Sequence, residues 1–200
     1  DVVVGAVVQS IQDVDTERMS DVPSGWETPP GGGLHLVTDY TVDAFGRTTE
    51  TLSPFFDSNG QTVRTANWMV YRELEHETLS ANGYAYGPAP TYEYELVNPV
   101  TVSRAAADGL ATESIGAVRA VTQGKLSAAD CFPQSTWVSW SRTSSNLHGQ
   151  QTSSSVYHTI PECGLGKSGV NYDETRFGYD AMGRQNRIIT PGGTITRTVF

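Results

Sequence analysis

The stretch Tyr179-Asp180-Ala181-Met182-Gly183-Arg184, followed by Pro191-Gly192-Gly193 and by Thr194 to Phe200, decides how this chain reads. Tyr179 ends one extended run. The Asp180 side chain is placed to accept a hydrogen bond from the backbone N–H two residues on, and Gly183 supplies the positive φ that closes a tight turn. Arg184 to Thr190 reads as the returning strand. Pro191 and Gly192 suit the two central positions of a type II turn, Pro191 setting φ and Gly192 taking the left-handed position. Thr194 to Phe200 then makes a third strand, with Ile195 and Val199 on one face. The unit is strand, turn, strand, turn, strand, and it carries no nucleophile, metal cluster or phosphate loop.

The unit occurs twice. Val42-Asp43-Ala44-Phe45-Gly46-Arg47 matches Tyr179 to Arg184, and Pro54 stands where Pro191 stands, at the same interval from its Asp (43 to 54, 180 to 191). After Pro54 a longer turn, Phe55 to Gly60, precedes the next extended run, Gln61 to Thr65. A shared Asp-Ala-x-Gly-Arg with a Pro at fixed spacing marks an internal repeat, and a repeat changes the reading of the whole fold.

Together these residues resemble the RHS or YD repeat of bacterial RHS-repeat proteins, which are related to the teneurins and to the C component of insecticidal Tc toxins. The resemblance is carried by Thr175 to Arg184 with Pro191-Gly192-Gly193, and by Asp43, Gly46, Arg47 and Pro54 in the first copy. It covers residues 38–65 and 175–200. Residues 66–174 read as a degenerate or inserted β region, and 1–200 as a single repeat-containing segment. Val42 stands where the family has Tyr, and Phe200 where the aromatic of a next repeat belongs. The resemblance implies an all-β fold of antiparallel hairpin repeats forming part of a curved β-shell. It also implies a secreted or cell-surface protein, with a structural role in which the shell encloses or presents another polypeptide, often a C-terminal toxin. The implied partners are the rest of the parent polypeptide and that enclosed segment. No cofactor, metal or catalytic residue is carried over. Within the repeat, Tyr179 and Phe200 are expected to pack on neighbouring turns, Asp180 and Gly183 to hold the turn, and Arg184 to pair with a carboxylate on an adjacent hairpin.

Composition agrees with a β-rich chain. Thr, Ser, Gly, Tyr and Val are abundant and Lys is scarce, which favours strands over helices. The net charge of -9 argues against a nucleic-acid-binding surface. No run approaches the roughly 18–20 apolar residues of a membrane-spanning helix. The chain opens inside an apolar run, Val2 to Val8, and stops inside a repeat, so it reads as an excerpt of a longer protein. Cys131 and Cys163 are the two cysteines; a bridge and a pair of buried free thiols both remain open.

Between the repeats, alternation and turn residues suggest about a dozen antiparallel strands joined by short turns. Val2 to Ile11 reads as a strand, and Pro29 to Gly33 as a loop. Thr65 to Ser80 alternates like an edge strand with an acidic face, a helix being the alternative. Asn82-Gly83 is a hairpin-turn signal, and Asp108-Gly109 a type I′ signal inside a worn repeat unit. Thr91 to Val97 is a strand with aromatics on one face and Glu on the other. Thr136 to Arg142 is a strand with Trp137 and Trp140 on opposite faces. Ser144 to Gln151 is a polar turn.

Several motifs fall short of the chemistry they suggest. Gly166-Lys167-Ser168 resembles the end of a P-loop, but the Gly required at 161 is Pro161. His76-Glu77 opens a zinc-protease motif whose second His is Ser80. The acidic run from Asp13 has Arg18 where an EF-hand needs Gly. Glu93, Glu95, Asp108 and Glu113 are carboxylates of the kind a glycosidase pairs, without a supporting motif, and an enzyme ranks last. The alternative function is a carbohydrate-binding surface module, in which Trp26, Trp68, Trp137, Trp140, Tyr92 and Tyr94 stack on sugar rings. The favoured reading of those rings is that they fill the core or pair across strands.

Overall fold

The structure is a computed structural model and describes residues 5–27 and 32–200. Val2 to Val4 of the first expected strand and Pro29 to Gly31 of the expected loop lie outside the described residues. Among the described residues thirteen antiparallel strands form an all-β sheet. They are β1 Gln9–Gln12, β2 Leu36–Val42, β3 Thr48–Leu52, β4 Phe56–Ser58, β5 Gln61–Arg72, β6 Glu77–Tyr86, β7 Glu93–Ala105, β8 Ala111–Ala117, β9 Trp137–Ser145, β10 Gln151–Tyr157, β11 Tyr172–Tyr179, β12 Gln185–Ile189 and β13 Ile195–Arg197. Spatial order follows chain order from β1 to β13, except that β4 pairs only with β5. Most connections are too short to cross over a sheet, and the three longer ones, 13–35, 118–136 and 158–171, also join strands that are neighbours in the sheet. The path does not close: β1 and β13 are its two ends.

The chain divides into two compact units. The first comprises 1–69, 81–97 and 122–126, and the second 70–80, 98–121 and 127–200. In the first unit the buried side chains are Leu52, Val63, Ala66, Trp68, Ala81, Ala85, Leu96 and Leu126. In the second they are Leu79, Val100, Val102, Ala111, Ile115, Ala117, Trp140 and Tyr157. Buried and exposed residues alternate along β5, β6 and β7, the period of a sheet with one covered face.

Several expectations are corrected. Asn82-Gly83 is not a turn but lies in the middle of β6. A Cβ on Gly83 would stand 2.2 Å from the Glu95 carbonyl oxygen and 2.5 Å from the Trp68 ring, so the glycine is there to admit the indole. The Asn-Gly pair that does turn is Asn59-Gly60, with φ of +57° and +79°, in the hairpin between β4 and β5. That hairpin is what the long turn after Pro54 contains. β5 is not an edge strand, since it lies between β3 and β6. It stops at Arg72, and Glu73 to His76 make the turn, with the His76 amide donating to the Glu73 carbonyl at 3.3 Å.

Trp137 and Trp140 do not point to opposite faces. Ala117 pairs with Trp137 while Gly116 pairs with Ser139, so β9 carries an extra residue, a β-bulge at Val138. The bulge resets the alternation, and the two indoles meet edge to face with centroids 4.9 Å apart. Asp108-Gly109 is not type I′ either. Only Gly109 has positive φ, and its amide donates to the Ala106 carbonyl, so the turn is a type I turn followed by a left-handed glycine.

Candidate functional site

The repeat residues build a turn with a defined bonding frame. In Asp180 to Arg184 the Asp180 amide donates to the Arg184 carbonyl at 2.9 Å and the Gly183 amide to the Asp180 carbonyl at 3.0 Å. Gly183 sits at φ +80°, which glycine reaches without steric cost. Asp180 Oδ1 accepts from the amides of Met182 and Arg184, both at 2.9 Å, and Oδ2 from Arg184 Nε at 2.8 Å. Asp43 to Arg47 repeats this bond for bond. Phe45 and Arg47 amides reach Asp43 Oδ1 at 2.9 and 3.0 Å, Arg47 Nε reaches Oδ2 at 2.8 Å, and Gly46 is at φ +78°. The two aspartates are therefore held below the usual carboxylate range. For Asp180 the leading cause is the Arg184 amide. For Asp43 some burial opposes the shift, and the Arg47 and Phe45 donors outweigh it.

Two further turns share the frame. In Asn146 to Gln150 the Asn146 amide donates to the Gln150 carbonyl and the Gly149 amide to the Asn146 carbonyl, both at 2.9 Å, with Gly149 at φ +75°. Asn146 Oδ1 accepts from the His148 and Gln150 amides at 2.9 and 3.1 Å, and Asn146 Nδ2 donates to Gln150 Oε1 at 2.8 Å. Asn and Gln thus do without charge what Asp and Arg do with it. In Thr190 to Thr194 the Gly193 amide donates to the Thr190 carbonyl at 2.9 Å, and Gly193 has φ +81°. The left-handed residue after Pro191 is therefore Gly193, not Gly192. Pro191 and Gly192 form a type I turn, because the same five-residue frame closes both ends of β12.

Arg184 does not reach a carboxylate on another hairpin. It bonds Asp180 in its own turn and lies over the Phe200 ring, 4.3 Å from the centroid. Tyr179 does reach a neighbour, its hydroxyl donating to the Gln151 carbonyl at 2.7 Å. Gln150 Nε2 returns a bond to the Gly183 carbonyl at 3.0 Å, so the two turns are stitched together in both directions. In the first copy Pro54 follows Ser53, whose amide donates to Thr65 rather than to a residue just beyond the Pro. The inserted β4 hairpin occupies the space in the chain between them.

Two polar groups inside the first unit carried no sequence motif. Arg64 is 1 % exposed and holds five bonds. Its donors reach the carbonyls of Ser53, Val37 and Leu52, Asp39 Oδ2 at 2.6 Å and the Tyr92 hydroxyl at 3.2 Å. Planar guanidinium donors fan out over β2 and β3 in a way that Lys cannot match. Glu50 is 7 % exposed and accepts from Trp68 Nε1 at 2.9 Å and Lys125 Nζ at 2.8 Å. Lys125 also lies over the Tyr94 ring. Desolvation lowers the Lys125 pKa, but the Glu50 carboxylate more than restores it, leaving it raised.

In the second unit, strand register places side chains in two rows on one face. Val102 pairs with Ile115 and Ile115 with Trp140. Trp140 stacks on Tyr157 at 3.7 Å, and Tyr157 leans on Tyr172. Burial, and next the Tyr172 phenol, push the Tyr157 phenol up to about 12. The adjacent row is ionic: Arg104, Glu113 and Arg142 are direct cross-strand partners, with Arg104 Nε 2.5 Å and Arg142 Nε 3.5 Å from the Glu113 carboxylate. An open cavity of about 380 Å³ beside this row is lined by His76, Arg104, Glu113, Ser114, Ser141 and Thr143.

The glycosidase-type carboxylates fall at three places. Glu113 lies between two arginines, and Asp108 accepts from the Leu110 amide in its turn. Glu93 and Glu95 share a cavity of about 420 Å³ with Tyr86 and Tyr94, and the Tyr86 hydroxyl donates to Glu95. Among the platform aromatics, Trp68 and Trp140 are buried at 3 % exposure, while Trp26 is exposed. Cys131 and Cys163 are free and exposed rather than buried. No three His, Cys, Asp or Glu side chains gather at metal-ligand distance among the described residues, and no helix among them is long and apolar enough to cross a membrane. No family model matches the chain, and no curated protein does.

Proposed function

We propose that this chain is a non-enzymatic structural segment of an RHS-repeat β-shell. The shell encloses or presents another polypeptide, often a C-terminal toxin, at or outside the bacterial surface. The observation that supports the reading is the shared turn frame. Four five-residue turns close with the same pair of backbone bonds and a left-handed fourth glycine, along a sheet whose order follows the chain. Two of them spell Asp-Ala-x-Gly-Arg. A meander of this kind grows by adding each hairpin to the previous edge, which suits a wall better than a catalytic cleft. The curved, closed shell and the partner polypeptide belong to this proposal.

The test is electron microscopy of the complete gene product purified from its native host. A hollow particle with this chain in its wall is the expected result. A compact or rod-like particle with no enclosed volume overturns the reading.

A further inference from the structure

Cys131 and Cys163 belong to two loops of the second unit that are tied to each other. Cys131 precedes the short 3-10 turn Gln134–Thr136 that leads into β9, and Cys163 follows β10. β9 and β10 pair antiparallel with Ser141 opposite Val156. Extending that register beyond both strands brings the segment before β9 alongside the segment after β10. The side chain of Gln134 makes the connection directly. Its Nε2 donates to the Pro161 carbonyl at 3.0 Å and to the Gly164 carbonyl at 2.9 Å, and these carbonyls bracket Cys163. Each loop is also pinned to the aromatic row. Trp137 Nε1 donates to the Phe132 carbonyl, next to Cys131, at 3.0 Å, and the Tyr157 hydroxyl donates to the Leu165 carbonyl at 2.9 Å. Both thiols are free and exposed, and the sequence holds no third cysteine to compete.

We infer that Cys131 and Cys163 form an intrachain disulfide when the protein meets an oxidising small-molecule disulfide. One thiolate attacks that disulfide, breaking its S–S bond and expelling one small thiolate. The second cysteine then displaces the second small thiolate, forming the Cys131–Cys163 bond. Two protein thiols are oxidised, one small disulfide is reduced, and the two protons leave on the two small thiols. The bond closes a loop around the whole β9–β10 hairpin and restricts the unfolded chain, stabilising the second unit. Closure requires the two Cα atoms to approach within about 7 Å, and the Gln134 clamp holds the loops together for that approach.

The experiment is incubation of the purified chain with oxidised glutathione, followed by thiol counting, intact mass and a non-reducing peptide map. The expected result is loss of both thiols in the monomer, a mass lower by about 2 Da, and a Cys131–Cys163 cross-linked peptide. Reduction with dithiothreitol should then lower Tm by roughly 10 °C. Gln134→Ala should slow closure several-fold while leaving each single thiol as reactive as before, as read with Cys131→Ser and Cys163→Ser. Glutathione adducts on both cysteines, covalent dimers, or two untouched thiols would overturn the inference.

Discussion

The turn Asn146 to Gln150 and the turn Asp180 to Arg184 lie side by side and have the same backbone. In one, an Asn accepts two amides and bonds a Gln; in the other, an Asp accepts two amides and bonds an Arg. The difference teaches which part of the motif is geometric and which is electrostatic. The side-chain oxygen at the first position and the left-handed glycine at the fourth are common to both, so they define the frame. The charge at positions one and five is dispensable to the frame. The turn Ala106 to Gly109 takes the lesson further, since it keeps the glycine but has no side-chain acceptor at its first position.

The comparison can be broken most severely at the glycines. Gly183→Val and Gly149→Val should each cost roughly 2–3 kcal/mol in urea unfolding, because a β-branched residue resists φ near +80°. The Gly183 variant should be the worse of the two, as its Cβ would also meet Gln150 Nε2 at 3.1 Å. Equal, negligible losses would remove the left-handed assignment. A smaller effect is expected at the first position. Asp180→Ala should lower Tm clearly, since three donors lose their acceptor, whereas Asp180→Asn should nearly preserve it, as Asn146 already performs that role. An Asn variant as damaged as the Ala variant would make charge part of the frame after all. The smallest effect is expected in the stitching: Gln150→Ala and Tyr179→Phe should each cost about 0.5–1 kcal/mol, with positive coupling in a double-mutant cycle because both bonds hold one hairpin to the next.

Much of the architecture was legible because turn chemistry is local. Asp43, Gly46, Asp180 and Gly183 announce their turns through residue types that act within five residues. The antiparallel order follows from the links where they are short, whereas the links 13–35, 118–136 and 158–171 are long enough to cross over and only the fold shows that they join neighbours. What was illegible depends on partners distant in sequence. Asn59-Gly60 and Asn82-Gly83 are the same dipeptide, and only the second must admit the Trp68 ring, so packing overrides the turn signal there. The shared face of Trp137 and Trp140 is not legible in the sequence, because a single-residue bulge at Val138 leaves no mark in composition. Gly193 replaced Gly192 as the left-handed residue because Pro-Gly fits two turn types and the five-residue frame selects one. The Asn146 turn reads as merely polar in the sequence, yet Asn146 followed by Gly149 and Gln150 carries at the same spacing the signal that Asp, Gly and Arg carry elsewhere. Arg64 and Glu50 had no local signal: their five and three bonds are made by strands that meet only in the fold.

The most direct measurement is an acid titration followed residue by residue through backbone amide NMR shifts. Asp43 and Asp180 are depressed in the folded state, so their contribution is complete above the ordinary aspartate pKa and disappears as pH falls through the lower folded value. The account predicts that the amides of Phe45, Arg47, Met182 and Arg184 titrate together in acid, with midpoints below the ordinary aspartate pKa of about 3.9. The Gln150 amide, bonded to the uncharged Asn146, should stay flat over the same range. Titration of the Gln150 amide with the others, or an ordinary aspartate midpoint at Met182 and Arg184, would contradict the claim that one turn frame is built here in a charged and a neutral form.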